Sequence, residues 1–194
     1  MSVTVLLGGA RSGKSTLALR CGLSYDGPVC LIATATAGDE EMAARIMRHR
    51  AERPQEWETI EEPLQLEMAL ARAPAEALVI VDCLTLWVSN QLAAGVSAAE
   101  IEERARRAAR RAAARGAPVV AVSNEVGMGI VPADPLIRAF RDAHGRVNAT
   151  WVAHAERAGL VVAGALLRLD GVATWLAAAP EVALRPRAED EEGR

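Results

Sequence analysis

A glycine-rich loop near the start of the chain is the feature that most constrains how the chain can fold. The segment Gly8-Gly9-Ala10-Arg11-Ser12-Gly13-Lys14-Ser15 matches the pattern G-x-x-x-x-G-K-S in full. It follows the apolar run Val3–Leu7 and precedes the helix-compatible run Thr16–Arg20, and this context separates a phosphate loop from an accidental glycine-rich turn. Glycines let consecutive backbone N–H groups face phosphate oxygens, and the following helix N-terminus adds partial positive charge. The loop therefore predicts nucleotide binding.

Three side chains supply the charge and the metal ligands that such a loop needs. Lys14 can reach the β- and γ-phosphates, and the Ser15 hydroxyl can bind Mg²⁺. Asp82 ends the apolar run Leu78–Val81, and an acidic residue at the end of a buried parallel strand can hold Mg²⁺ directly or through water. An aspartate in this position can also cap a turn. Together with the loop, the pattern favours Ser15 and Asp82 as the magnesium ligands.

Alternation of short apolar runs with longer helical patterns predicts the α/β class. We expect a three-layer P-loop nucleotide-binding fold, with a mostly parallel central sheet flanked by helices. A single domain over residues 1–186 and a mobile acidic tail over residues 187–194 are predicted, because the tail has no large apolar residue. The predicted strands are nearly all apolar and rich in β-branched residues: Val3–Leu7, Val29–Ala33, Leu78–Val81, Val119–Val122 and Leu160–Val162.

Capping residues and prolines bound the predicted helices. One helix, capped by Asp39, runs to about Arg53 before Pro54. The arginines of Ile101–Arg115 are spread among alanines, which predicts a solvated face rather than an RNA-binding stripe. The other helices begin in the turn containing Pro63, at the capping box of Ser97 and Glu100, and at Asp134-Pro135, from which the helix extends to about Ala158.

Composition excludes several classes of protein. The net charge is −3, from 22 basic and 25 acidic residues, and one Phe and one Tyr offer little base stacking, so no nucleic-acid partner is expected. No apolar run approaches the ~20 residues of a membrane span. The run Val3–Leu7 is too short for a signal peptide. Cys21, Cys30 and Cys83 lack metal or disulfide spacing. These features predict a cytoplasmic protein.

The spacing of residues in the sequence leaves the role of His49 open. Arg45, His49 and Arg53 are spaced at i, i+4 and i+8, so they share one face of a helix. Neighbouring arginines favour a neutral imidazole, which is a competent nucleophile toward phosphorus, and they can bind the phosphates under attack. The alternative is an ordinary surface histidine on a basic helix, and spacing alone favours that alternative.

Two further segments have two interpretations each. Either Glu61 or Glu62 can face the nucleotide, and position alone does not decide between them. The segment Ser123–Pro132 begins with a polar trio after the fourth predicted strand, which is where open α/β sheets bind ligands. It is either an adaptable wall for a second substrate or an ordinary strand-to-helix loop.

These segments occur together, and in this order, in one family. The chain resembles the bifunctional adenosylcobinamide kinase / adenosylcobinamide-phosphate guanylyltransferase family of cobalamin biosynthesis. The phosphate loop alone is unspecific, whereas E-V-G-M-G-I-V-P together with the D-E-E-M…R-I…H segment is highly specific. The resemblance is carried by the phosphate loop, Ile32–Thr34, Asp39–Ile46 with His49, Arg53-Pro54, Trp57–Glu61, Asn124–Pro132, Phe140–Asp142 and Gly145–Asn148.

The resemblance implies two reactions at one nucleotide site. A nucleoside triphosphate, ATP or GTP, phosphorylates the aminopropanol hydroxyl of adenosylcobinamide. GMP then passes from GTP to adenosylcobinamide phosphate through a GMP–histidine intermediate, for which the matching residue is His49, with Lys14 also catalytic. A homo-oligomer is implied as well. The implied nucleotide contacts are Gly8, Gly9, Ala10, Arg11, Ser12, Gly13, Lys14, Ser15, Ala33, Thr34, Arg50, Ala51, Glu52, Arg53, Glu61 and Asp82.

One departure and two alternatives accompany the resemblance. Asp82 stands where some family members carry Glu, which shortens the reach of the carboxylate and keeps its charge. A kinase with a single activity would leave His49 inert. The second alternative is a regulatory GTP-binding switch, but the chain has no N-K-x-D string for guanine recognition.

Overall fold

A computed structural model describes residues 2–171, except for the side chain of Arg45. The predicted acidic tail at residues 187–194 lies outside the described residues. The strands are β1 (Val3–Gly8), β2 (Val29–Ala33), β3 (Glu58–Glu61), β4 (Leu78–Asp82), β5 (Val119–Val122), β6 (Arg157–Val162) and β7 (Ala165–Leu169). The helices are α1 (Lys14–Leu23), α2 (Glu40–Ala51), α3 (Leu66–Arg72), α4 (Leu84–Ala93), α5 (Ala98–Ala113) and α6 (Pro135–Ala153).

One sheet joins all of these strands, in the order β3-β2-β4-β5-β1-β6-β7. Neighbouring strands are parallel except for β7, which runs antiparallel to β6. Strand β5 lies between β1 and β4, and Val122 pairs with both Leu6 and Asp82. The carboxyl end of β1, which leads into the glycine loop, therefore lies near Asp82 at one edge of the sheet.

Apolar residues bury both faces of the sheet. On one face, α3 to α6 contribute Leu70, Trp87, Ile101 and Trp151 to the larger buried cluster. On the other face, Ala18 of α1 packs into a second cluster. These layers confirm the predicted α/β class and the mostly parallel sheet. No helix within residues 2–171 is long and apolar enough to cross a membrane.

Two predicted helix caps are present, whereas the boundaries of two other helices differ from the predictions by a few residues. Asp39 accepts a hydrogen bond from the Met42 N–H at 2.7 Å, and Ser97 accepts one from the Glu100 N–H at 3.3 Å. Helix α3 begins at Leu66, so the prediction of Pro63 in its first turn was wrong. Helix α6 ends at Ala153, earlier than predicted.

Arg115 is an exception to the predicted solvated arginine face. It is buried, and its guanidinium donates hydrogen bonds to four backbone carbonyls, including that of Leu70 at 2.9 Å. The other acceptors belong to Ala73, Pro74 and Ala77. Because a guanidinium presents five donors in a fixed plane, one side chain can bind the end of α3 to the segment that leads into β4.

Candidate nucleotide-binding site

A cavity of about 880 Å³ opens where the carboxyl ends of β2, β4 and β5 meet the glycine loop and α2. Open α/β sheets bind ligands at this edge. Most of the residues predicted to contact a nucleotide line this cavity: Ala10, Arg11, Ser12, Gly13, Lys14, Ser15, Ala33, Arg50, Arg53, Glu61 and Asp82. His49 lines it as well.

Backbone geometry explains the glycines of the loop. Gly8 and Gly13 have φ values of 150° and 106°, which L side chains rarely adopt. A Cβ atom at Gly8 would also collide with the Val161 carbonyl oxygen and lie 2.8 Å from the Ser12 Oγ. Gly13 is the N-cap residue of α1, so the loop leads directly into a helix N-terminus with its partial positive charge.

Lys14 holds its charge inside the loop. The side chain is buried, and Nζ donates hydrogen bonds to the Gly9 carbonyl at 2.6 Å and to the Ser12 Oγ at 3.3 Å. Both acceptors belong to the loop itself. The ammonium group therefore lies among the residues that would surround a bound phosphate chain.

Asp82 forms an ion pair at the end of β4. Its Oδ2 lies 3.6 Å from Nη2 of Arg53, and the two side chains are 21% and 12% exposed. Burial lowers the pKa of the Arg53 guanidinium, and the Asp82 carboxylate opposes this shift. The arginine remains charged, because a guanidinium is protonated throughout the physiological range. The pair places one negative and one positive charge on the same cavity wall.

Ser15 and Asp82 fit the ligand preferences of Mg²⁺. Both line the cavity, and both present oxygen, which this cation prefers. Within the described residues there is no cluster of three or more His, Cys, Asp or Glu side chains arranged to hold a metal. Mg²⁺ does not need such a cluster, because it commonly takes one or two protein oxygens and completes its shell with water and phosphate.

Helix α2 brings His49 to the cavity. His49 and Arg53 also line an adjoining cavity of about 130 Å³ together with Trp57, Ser15 and Asp82. Helix α2 ends at Ala51, so Arg53 lies beyond the helix rather than on its continuous face. Arg50 forms an ion pair with Glu61 of β3, and both side chains are exposed.

The remaining predicted nucleotide contacts do not line the larger cavity. Thr34 is fully buried, and its hydroxyl donates to the Cys83 carbonyl at 2.7 Å and accepts from the Cys83 N–H at 2.9 Å. It therefore positions the backbone that follows Asp82. Glu52 lines only the smaller cavity. The lining of the two cavities does not include Gly8, Gly9, Thr34 or Ala51.

The cavity also contains residues that the nucleotide motifs did not indicate. Asn124 lines it from the end of β5, and Cys83 lines it beside Asp82. Burial raises the pKa of the Cys83 thiol to about 11, so this cysteine is a neutral side chain there. The sequence signal for Asn124 was its position directly after a buried strand. Contact with a second substrate was one of the two interpretations of the segment that contains it, Ser123–Pro132. Apolar lining comes from Met42, Ile46, Met47 and Leu86.

The fold and the loop together define a nucleotide-binding protein of the P-loop class. Two solved structures share the fold. A protein of Pyrococcus horikoshii OT3 has a TM-score of 0.54 and 6% identity, over 88% of this chain and 87% of that one. An ATPase of the bacterial type III secretion system has a TM-score of 0.51 and 13% identity, over 82% of this chain and 50% of that one.

Sequence similarity identifies the family. A profile of the family described as cobinamide kinase / cobinamide phosphate guanyltransferase matches residues 4–169. The chain belongs to this family, which confirms the resemblance carried by the motifs. Two relatives are named bifunctional adenosylcobalamin biosynthesis proteins. The protein CobP of Pseudomonas aeruginosa is 43% identical over 86% of this chain and 96% of its own length. CobU of Salmonella typhimurium is 41% identical over 82% of this chain and 95% of its own length.

Proposed function

We propose that the protein first phosphorylates the aminopropanol hydroxyl of adenosylcobinamide and then converts the phosphate to adenosyl-GDP-cobinamide. The observation that carries the proposal is the presence of His49 and Lys14 on one cavity, together with Ser15 and Asp82. A simple kinase needs a phosphate loop and a magnesium site. A nucleophilic side chain on the same cavity adds the means for nucleotidyl transfer.

In the first step the substrate hydroxyl attacks the γ-phosphorus, the bond to the β-phosphate oxygen breaks, and the hydroxyl proton is released. Phosphoryl transfer depends mainly on position and charge neutralisation. Lys14 and the loop N–H groups neutralise the phosphates. Ser15 and Asp82 are the residues that would hold Mg²⁺, which supplies further positive charge when bound.

In the second step a ring nitrogen of His49 attacks the α-phosphorus of GTP. A nitrogen–phosphorus bond forms and pyrophosphate leaves. An oxygen of adenosylcobinamide phosphate then attacks the same phosphorus, the nitrogen–phosphorus bond breaks, and His49 is regenerated. Arg53 lines both cavities beside His49, so its positive charge supports the phosphate under attack. The same phosphate loop serves both steps if the nucleotide shifts along it.

Labelling with GTP that carries a radioactive α-phosphate tests the proposal. After incubation with Mg²⁺ and denaturation, the wild-type chain should retain label that is lost in acid and survives alkali. His49→Ala should lose this label and keep much of the kinase activity. His154→Ala is the matched control, because this histidine bonds to the Thr150 carbonyl and is outside the cavity lining. It should label as the wild type does.

The same assay separates the alternatives. Turnover of adenosylcobinamide without α-label would leave a kinase with one activity and an inert His49. Slow GTP hydrolysis without any effect of adenosylcobinamide would support the GTP-binding switch. Equal loss of both activities in His49→Ala would show that His49 mainly binds phosphate.

A further inference from the structure

Asn124 lies two residues beyond the end of β5. This strand lies between β1, which leads into the phosphate loop, and β4, which ends in Asp82. Val122 pairs with Leu6 of β1 and with Asp82 of β4. The chain beyond Val122 therefore passes between the strand that leads into the phosphate loop and the strand that ends in Asp82. Asn124 lines the cavity together with Lys14. The lysine of such a loop reaches the β- and γ-phosphates, so Asn124, which lines the same cavity, is a candidate to contact the terminal phosphate.

Side chains from two helices fix the backbone of Asn124. Its N–H donates to the Thr85 Oγ1 of α4 at 2.8 Å, and its carbonyl accepts from the Asn148 Nδ2 of α6 at 3.0 Å. The adjacent residues are held as well, because the Ser123 N–H donates to the Leu6 carbonyl and the Glu125 N–H donates to the Gly8 carbonyl, each at 2.9 Å. Within residues 2–171 the Asn124 carboxamide itself has no hydrogen-bond partner. It is the polar group of this segment left for a ligand.

The side chains that hold Asn124 form one buried network. Ser123 Oγ donates to Asn148 Oδ1 at 2.6 Å, and His144 Nε2 lies 3.1 Å from Ser123 Oγ and 3.2 Å from Thr85 Oγ1. All four side chains are buried. Hydrogen bonds in such a setting reinforce one another and hold a single arrangement.

The Ser123 hydroxyl indicates the tautomer of His144. Ser123 gives its proton to Asn148 Oδ1, so its oxygen presents a lone pair to His144 Nε2. We therefore assign the proton to Nε2. A second proton would occupy Nδ1, which is buried without a partner among the described residues. This arrangement keeps the ring neutral and the network intact at physiological pH.

We propose that the Asn124 carboxamide donates a hydrogen bond to the terminal phosphate of the bound nucleoside triphosphate, and that Thr85, His144 and Asn148 are positioning residues for it. Phosphate oxygens accept hydrogen bonds, and bonds to charged acceptors are the strong ones. A neutral donor on a fixed backbone can distinguish a triphosphate from a diphosphate. The inference rests on the proposed function only in that the cavity binds a nucleoside triphosphate.

Equilibrium binding of a non-hydrolysable GTP analogue and of GDP, both with Mg²⁺, tests the contact. Asn124→Ala should weaken binding of the analogue about tenfold and leave GDP binding unchanged. Asn124→Asp has nearly the same shape but places a carboxylate beside the phosphate, so it should weaken the analogue further. Gln55→Ala is the control, because Gln55 is an exposed amide outside the cavity lining. Its affinities should match those of the wild type.

Two results would overturn the contact. Equal losses for the analogue and for GDP would place Asn124 elsewhere on the nucleotide, and full affinity in Asn124→Asp would exclude an N–H donor. Neither result depends on adenosylcobinamide. A chain that discriminates between the nucleotides but does not turn over adenosylcobinamide would refute the proposed function and keep this inference.

The positioning role needs its own pair of variants. Thr85→Val removes the acceptor of the Asn124 N–H at nearly constant volume, whereas Thr85→Ser retains a hydroxyl. Thr85→Val should reduce the preference for the triphosphate analogue several-fold, and Thr85→Ser should restore most of it. Urea unfolding of both variants separates stability from position. Full discrimination in a less stable Thr85→Val protein would show a purely structural threonine and overturn the positioning role.

Discussion

Arg53 and Asp82 share one wall of the cavity, and their charged atoms lie 3.6 Å apart. Asp82 is also the carboxylate that ends β4, where the sequence predicts a magnesium ligand. If Mg²⁺ binds at Asp82 as proposed, the same carboxylate would face two cations, Arg53 and the metal that accompanies the nucleotide. Because an ion pair weakens when one partner is shared with a second cation, metal binding and the position of Arg53 should be linked.

The first prediction concerns the charge of Asp82. Asp82→Asn keeps the shape of the side chain and removes its charge, so the Mg²⁺ concentration for half-maximal activity should rise about tenfold. Titration of activity with Mg²⁺ at saturating nucleotide measures the shift. Asp26→Asn is the control, because Asp26 is exposed and outside the cavity lining. An unchanged titration in Asp82→Asn would argue against a metal role for this residue.

The second prediction concerns Lys14, which is the single lysine of the chain. Lys14→Ala should lower both proposed activities about a hundredfold or more, because it removes the charge that faces the phosphate chain. Steady-state assays of both steps measure the loss. Arg20→Ala removes an exposed positive charge from the last turn of the same helix and should leave both activities near wild type. Unchanged kinase turnover in Lys14→Ala would refute the assignment.

The third prediction concerns the buried guanidinium of Arg115. Arg115→Ala removes the guanidinium from four backbone carbonyls, of which that of Pro74 keeps the Ala77 N–H. We therefore expect the free energy of unfolding to fall by about 3 kcal/mol. Arg115→Lys should recover only part of this, because an ammonium cannot reproduce the planar fork.

Urea unfolding at neutral pH measures the change in Arg115→Ala. Arg110→Ala provides the comparison, since Arg110 is exposed on α5, which ends two residues before Arg115, and its effect should stay within about 0.5 kcal/mol. A similar small effect in Arg115→Ala would mean that water replaces the lost donors at little cost.

Much of the fold could be predicted because buried strands have a local signal. Val29–Ala33 and Val119–Val122 were predicted with the bounds that the structure has, since nearly continuous apolar runs are typical of strands covered on both faces. Strands β3 and β7 at the two edges of the sheet were not predicted. Their residues are mostly or wholly exposed, so pairing with a neighbouring strand, rather than an apolar pattern, determines them.

The candidate site likewise has one part that local sequence patterns indicate and one part that only the fold brings together. The phosphate loop and Asp82 are local patterns beside predicted strands, so the sequence indicates them directly. The network of Thr85, Ser123, His144 and Asn148 is assembled from α4, the end of β5 and α6. No short segment contains it. A histidine inside a helical pattern carries no sign that its partners are two hydroxyl groups from elsewhere in the chain.

The last prediction uses the pH dependence of stability that this network creates. Burial lowers the pKa of His144 to about 4 in the folded protein, whereas an unfolded histidine titrates near its ordinary value of about 6.5. Between these values the unfolded chain binds more protons than the folded protein does. The contribution of His144 to stability is therefore complete above about pH 6.5 and is lost as the pH falls toward 4.

The loss of unfolding free energy between about pH 6.5 and pH 4 totals about 3 kcal/mol, because a pKa difference of one unit corresponds to about 1.4 kcal/mol. Urea unfolding at pH 7 and pH 5 should show a larger loss of stability for the wild type than for His144→Gln, which has no titrating ring. His154→Gln is the matched control and should keep the wild-type slope, because His154 is outside the buried network. If His144→Gln and the wild type lose the same stability between these pH values, His144 does not remain neutral through exclusion of its second proton.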